Sequence, residues 1–310
     1  MKLQFLMKKE VKIIEVGPRD GLQNIQTFVP TDKKIQFIKK LDVCGFQEIQ
    51  IGSFVAPRAI AQFKDIKEVA SKVSSLRGVT LSALIPNERG VKEAIACGIK
   101  NLIFFFSVSS EHNCRNVKQT PQESIKELQR ICRLYLPDPS ISLRVDLATA
   151  FGCPFAGNIT TAAVLRMVEK VAACGIQEIT LCDTVGFGNP RMVEEKFSAC
   201  RRRFPKIAFG AHFHNTRGLA LANTLRAYET GIRSFDAAVG GLGGCPYAPG
   251  SSGNVATEEM VFLFESMGIK TGVDLQKLLD VCLFLHKTLP QAKLASALYL
   301  AGIPSRKDKL

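Results

Sequence analysis

One short phrase, repeated along the chain, most constrains what it can fold into. Cys44-Gly45-Phe46, Cys97-Gly98-Ile99, Cys174-Gly175-Ile176 and Thr230-Gly231-Ile232 each read as a helix end, a glycine just past it, a hydrophobe and then a strand. Glycine at that place takes the left-handed conformation that closes a helix. Around these phrases, strand-like apolar runs alternate with amphipathic helical stretches eight times, with strands expected at 12–16, 48–52, 79–84, 101–106, 142–147, 178–182, 207–213 and 234–239. Helix starts are legible at Thr31-Asp32, at Thr120-Pro121-Gln122-Glu123 and at Asn189-Pro190, where a side-chain acceptor or an early proline suits a first turn. Eight βα units within 310 residues point to an α/β fold, a (β/α)8 TIM barrel, rather than an open doubly wound sheet. The expected layout is a single domain over 1–310, with the barrel at about 11–268 and additional C-terminal helices at about 272–305.

This layout tests the motifs, because chemistry in such barrels sits at the C-terminal ends of the strands. Arg19-Asp20 follows the first expected strand, Ser53-Phe54 the second and Pro86-Asn87 the third. The stretch 107–113 follows the fourth, Gly152-Cys153-Pro154 the fifth, Asp183-Thr184 the sixth, His212 and His214 close the seventh, and a Gly-rich loop carrying Cys245 follows the eighth. Every polar constellation falls on one rim.

Two histidines two residues apart on a strand share a face and can grip one ion. With a carboxylate from Asp20 and a side-chain amide from Asn254, His212 and His214 make a mixed nitrogen and oxygen set. Such a set suits Mg2+ or Mn2+ better than tetrahedral zinc, although imidazoles also admit Zn2+, Co2+ and Fe2+. The competing reading is a packed histidine pair, with Asn254 capping a helix that begins at Val255. Arg19, in a tight loop shaped by Gly17-Pro18 and Gly21, is a permanent cation that could face a developing enolate. Cys245 lies among Gly243, Gly244 and Pro246, where little packing would explain a thiol, and reads as a general acid on a glycine loop. His112 and His286 read as structural. Gly186-Phe187-Gly188 lacks the lysine of a P-loop and supports no nucleotide site.

Composition narrows the remaining classes. The longest apolar runs, such as 102–106, are too short to cross a bilayer, and no signal-type block opens the sequence, so a cytoplasmic protein with no membrane partner is expected. Ten cysteines occur without a repeating spacing or a paired CxxC, which argues against a disulfide framework or a structural zinc site. Most, including Cys44, Cys97, Cys174 and Cys182, read as small buried hydrophobes. The net charge of +13 is spread over short clusters, and with no Trp and four Tyr there is little aromatic surface for bases, so nucleic acid is not an expected partner.

The segments 15–24 (EVGPRDGLQN), 52–57 (GSFVAP), 212–223 (HFHNTRGLALAN) and 240–258 (GGLGGCPYAPGSSGNVATE) closely resemble those of the hydroxymethylglutaryl-CoA lyase family, metal-dependent TIM-barrel acyl-CoA lyases. The likeness runs from Val11 to about Leu279. It implies retro-Claisen cleavage of 3-hydroxy-3-methylglutaryl-CoA to acetyl-CoA and acetoacetate, chemistry that belongs to leucine degradation and ketone body metabolism. It implies a divalent cation held by Asp20, His212, His214 and Asn254, an enolate-stabilising Arg19, Cys245 as the catalytic cysteine, and Asp20 or His212 as base. Asp183 and Thr184 are assigned to substrate, and the expected assembly is a homo-oligomer, a dimer or higher. Two departures stand out. Gln50 occupies a place where the family usually has glutamate, and Asp146 one where an uncharged residue or Tyr is common. These leave open a related branched 3-hydroxyacyl-CoA as substrate of a lyase or condensing enzyme, or a catalytically weakened barrel with a binding role.

Overall fold

The computed structural model describes residues 10–244, 253–292 and 294–302. Eight parallel strands close into a barrel in sequence order, the first pairing with the last. They are β1 (Lys12–Glu15), β2 (Glu48–Ser53), β3 (Thr80–Ile85), β4 (Asn101–Ser107), β5 (Ser142–Ala148), β6 (Glu178–Asp183), β7 (Ala208–Phe213) and β8 (Ser234–Ala237). Each expected strand is present, its ends moved by a residue or two. The helices on the outside are α1 (Thr31–Asp42), α2 (Ile66–Val73), α3 (Glu88–Ala96), α4 (Ser110–Asn116), α5 (Pro121–Tyr135), α6 (Thr161–Ala172), α7 (Pro190–Arg203), α8 (Ala220–Glu229) and α9 (Thr257–Ser266), followed by α10 (Leu275–Thr288) and the short α11 (Ala297–Ala301). None of the described helices is long and apolar enough to cross a membrane.

The repeated glycines do what the sequence asks of them. Gly45, Gly98, Gly175 and Gly231 all have positive φ, between 82° and 94°, just after α1, α3, α6 and α8. At Gly45 the constraint is double, since a Cβ there would also lie 2.4 Å from the carbonyl oxygen of Gly272. Helix starts are equally explicit. Thr120 and Glu123 form a reciprocal capping box at α5, Asn189 accepts from the Met192 amide at α7, and Asn87 accepts from the Gly90 amide at α3. Each such cap is worth about 1 kcal/mol.

Between strands and helices lies an apolar layer. Phe151 packs on Phe197 of α7 and Phe213 of β7, with ring centroids 5.9 and 5.6 Å apart, and Phe235 of β8 meets Phe264 of α9 at 5.3 Å. All five are buried, and each contributes roughly 1.5–3 kcal/mol by leaving water. The lumen is different. Arg144 of β5 bonds Asp236 of β8, and because those strands are not neighbours the contact crosses the inside of the barrel. Charged side chains therefore occupy part of an interior that such barrels usually fill with branched aliphatics.

Candidate active site

The rim is built first by the turn after β1. The amides of Arg19, Asp20 and Gly21 all point back to the Val16 carbonyl, at 3.0, 2.7 and 3.3 Å, a π-helical turn of five residues over Gly17–Gly21. Such turns are rare and concentrate at functional sites. Its glycines are steric requirements: a Cβ at Gly17 would sit 2.6 Å from the Glu15 carboxylate, and one at Gly21 would sit 2.8 Å from Leu242. Glu15 anchors the turn from below, accepting the Gly17 and Val239 amides on one oxygen and the Thr257 hydroxyl on the other. Burial pushes this carboxyl up to about 8, with the three donors only partly offsetting it.

The turn delivers Arg19 and Asp20 as a pair. Arg19 Nη1 donates to Asp20 Oδ1 at 2.8 Å, and its Nε donates to Gln50 Oε1 at 2.9 Å. The guanidinium is thus held at two edges in a buried position. The other oxygen of Asp20 faces β7, 3.6 Å from His212 Nε2 and 3.4 Å from His214 Nε2. The two Nε2 atoms are 3.1 Å apart. Two ring nitrogens this close cannot both carry hydrogens, so at least one of them presents a lone pair at the point where they meet. Burial opposes ionisation of Asp20, but Arg19 and the two histidines outweigh it and hold its carboxyl well below the usual range. Burial depresses His214 despite the neighbouring Asp20, which favours the neutral ring. An anionic carboxylate and a neutral imidazole are the forms that bind metals.

Asn254 joins this group from the chain returning to α9. It forms a main-chain bridge with His214, and the next amide, of Val255, donates to the Phe213 carbonyl at 3.1 Å. The cap reading of Asn254 is corrected here: α9 begins at Thr257 with Ala256 before it, and no side chain caps it. Asn254 Nδ2 instead donates to the Leu242 carbonyl at 2.9 Å, leaving its buried Oδ1 without a hydrogen-bond partner among the described residues. A buried acceptor left bare is costly unless something outside the protein occupies it.

Asp20, His212 and His214 place one ligand atom each within 4.8 Å of one another and could hold a metal ion. Bond lengths near 2.1 Å put adjacent ligand atoms about 3.0–3.4 Å apart, close to the separations above. The bare Asn254 oxygen adds a second hard donor. The residues present therefore fit a divalent cation.

Elsewhere on the rim, the Asp183 carboxylate accepts the amides of Phe187 and Gly188 at 2.8 and 2.9 Å, and burial pushes it up to about 6. Thr184 Oγ1 accepts the Thr149 amide at 2.9 Å. Both residues stand at the mouth of the barrel, and both shape the loops there. His112 is buried in α4 with its Nδ1 2.7 Å from Oγ of Ser107, the last residue of β4. Cys245 lies outside the described residues.

Below the rim stands a group of which sequence reasoning named only Asp146. Asp236 Oδ2 is 3.2 Å from His212 Nδ1 and 3.0 Å from Arg144 Nη2, while Asp236 Oδ1 accepts from Arg144 Nη1 at 3.1 Å. Arg144 Nε reaches Asp146 Oδ1 at 2.8 Å. Burial opposes ionisation of Asp236, but Arg144 and His212 outweigh it and hold the carboxyl low, whereas burial prevails at Asp146 and pushes it up. A signal was available: an aspartate inside the apolar run Phe235-Asp236-Ala237 has no reason to be buried unless it is paired.

The HMGL-like family profile matches residues 10–284. The chain is 42% identical over 281 residues to the hydroxymethylglutaryl-CoA lyase YngG of Bacillus subtilis, covering 91% of this chain and 94% of that one. It is 40% identical over 283 residues to the human mitochondrial enzyme of the same name, covering 91% and 87%. The chain belongs to the hydroxymethylglutaryl-CoA lyase family. Among solved structures, a family lyase from Acinetobacter baumannii in complex with coenzyme A and 3-methylmalate superimposes with a TM-score of 0.91 at 39% identity, each chain covered in full. The Bacillus subtilis lyase structure gives 0.91 at 41%, covering 95% of this chain and 98% of that one.

Proposed function

We propose that this chain cleaves 3-hydroxy-3-methylglutaryl-CoA into acetyl-CoA and acetoacetate. The observation that carries the reading is the convergence of Asp20, His212 and His214 with the bare Asn254 oxygen, beside an arginine gripped by Gln50 and Asp20. Family membership supplies the substrate class, since the named relatives are hydroxymethylglutaryl-CoA lyases and one was solved with coenzyme A.

In this reading Asp20, His212, His214 and Asn254 hold a divalent cation, Mg2+ or Mn2+. Bound there, the ion would polarise the tertiary hydroxyl and a carboxylate oxygen of the substrate, lowering the hydroxyl pKa. Asp20 or His212 takes the hydroxyl proton. The carbon–carbon bond then breaks, its electron pair passing to the thioester fragment as an enolate while the hydroxyl carbon becomes the ketone of acetoacetate. Arg19 is fixed before the reaction begins, so its charge meets the growing enolate without reorganisation. The Cys245 thiol delivers a proton to the enolate carbon, giving acetyl-CoA. Asp183 holds the loop after β6, and Thr184 stands on the same wall toward substrate.

We place the activity in the cytoplasm, in leucine degradation and ketone-body metabolism, in an oligomer of the chain, with no nucleic-acid or membrane partner. The test is a product assay: acetyl-CoA and acetoacetate released in equal amounts from the thioester, with activity lost to chelator and restored by Mg2+ or Mn2+. Absence of both products in metal-replete enzyme would refute the assignment.

A further inference from the structure

His212 and His214 sit two residues apart on β7 with the same ring atoms converging, yet only His212 has an ionic support behind it. Its Nδ1 lies 3.2 Å from Asp236 Oδ2, whereas the buried His214 Nδ1 has no hydrogen-bond partner among the described residues. A neutral imidazole carries one hydrogen, and which nitrogen carries it is set by the partner of the other. An ionised carboxylate can only accept. Asp236 is kept in that form and in place by the Arg144 guanidinium, which bonds both of its oxygens across the lumen and is itself held from the far side by Asp146.

We propose that Asp236, clamped by Arg144, is a positioning residue that fixes the hydrogen of His212 on Nδ1 and so keeps its Nε2 lone pair aimed at the cation. The device rests on the ligand set proposed above. It gives the ionic lumen a purpose beyond packing: a charged trio at the centre of the barrel turns one imidazole into a pre-oriented ligand. Outer partners of this kind typically change metal affinity by 10–100-fold.

The two carboxylates flanking Arg144 provide the control. Asp236→Ala leaves Arg144 beside Asp146, and Asp146→Ala leaves it beside Asp236, so in either variant the guanidinium keeps one acidic partner. Only Asp236 touches His212. Mn2+ binding by the purified protein, measured calorimetrically, should therefore weaken 10–100-fold in Asp236→Ala and stay within about threefold in Asp146→Ala. Nitrogen NMR of the histidine rings should show the His212 hydrogen on Nδ1 in the wild type and a mixture of tautomers in Asp236→Ala. If Asp236→Ala does not fold, Asp236→Asn takes its place: an amide has one acceptor and cannot serve Arg144 twice and His212 as well, so it too should lose affinity. Wild-type affinity in the Asp236 variants, or equal losses in the Asp236 and Asp146 variants, would overturn the positioning role. Failure of the wild type to bind Mn2+ would overturn the ligand set itself, a separate result.

Discussion

The lumen around Asp236 and the rim around Asp20 are both buried and both polar, but they treat their polar groups in opposite ways. In the lumen the charges are spent on one another: Lys12 on Glu48 at 2.6 Å, and Arg144 on Asp146 and Asp236. At the rim, Asn254 Oδ1, His214 Nδ1 and Gln50 Nε2 are buried without partners among the described residues. Leaving such groups bare costs roughly 1–3 kcal/mol each, a cost that packing alone gives no reason to bear. The difference teaches how to read buried polarity here: charges that pair hold geometry even where an atom such as Arg144 Nε or Asp146 Oδ1 lacks a hydrogen bond, and a bare acceptor beside Asp20 and the two histidines marks where something else binds.

The largest effects should come from residues assigned to the cation and the reaction. His214→Ala removes a proposed ligand atom and should lower turnover by about 100-fold or more, with a matching loss of Mn2+ binding. Retention of either near the wild-type level would break the contrast, because a rim residue would then have proved dispensable. Cys245→Ala should cut turnover by about 10²–10⁴-fold, the range of general acid–base catalysis, while Mn2+ affinity stays put. Unchanged turnover would remove the cysteine from the mechanism.

The spent groups should answer to pH rather than to substrate. Glu15 has a folded-state pKa of about 8 against an ordinary 4.5. The folded state therefore binds this proton more tightly than the unfolded chain. The stabilisation is complete below about pH 4.5 and drains away as pH rises toward 8. Glu15→Gln keeps the acceptor for the Gly17 and Val239 amides but cannot ionise, so its denaturation midpoint should fall less steeply than the wild type's over that window. Parallel curves would show that Glu15 is ionised throughout.

How much of this was legible follows the same division. Strands, helix starts and the rim placement of Arg19, Asp20, His212 and His214 could be read because local rules act on neighbours in sequence: glycines with positive φ, capping side chains and apolar alternation. The partnerships could not. Asp236 meets Arg144 across 92 residues of chain, on strands that are not adjacent, and only barrel closure brings them together. The competing cap reading of Asn254 failed for a similar reason: its neighbours suggested a helix start, but the main chain runs on to Thr257 before α9 begins.

Gln50 lies at the boundary between the two regions and should give the smallest effect. Its Oε1 is spent on Arg19 Nε at 2.9 Å, while its Nε2 is buried and open. An amide here supplies one acceptor and leaves a donor bare, whereas a carboxylate would supply two acceptors and no donor. It would also place a negative charge against a buried guanidinium, strengthening the grip on Arg19. Gln50→Glu should therefore raise turnover of 3-hydroxy-3-methylglutaryl-CoA severalfold with the fold unchanged. The opposite result is equally informative. Arg19 is already bound to Asp20, and a second carboxylate on the guanidinium would dilute the positive charge available to an enolate. If Gln50→Glu lowers turnover on this thioester while raising it on a related branched 3-hydroxyacyl-CoA, Gln50 is a specificity element tuned together with Asp146. Assaying both thioesters on both proteins decides between the two.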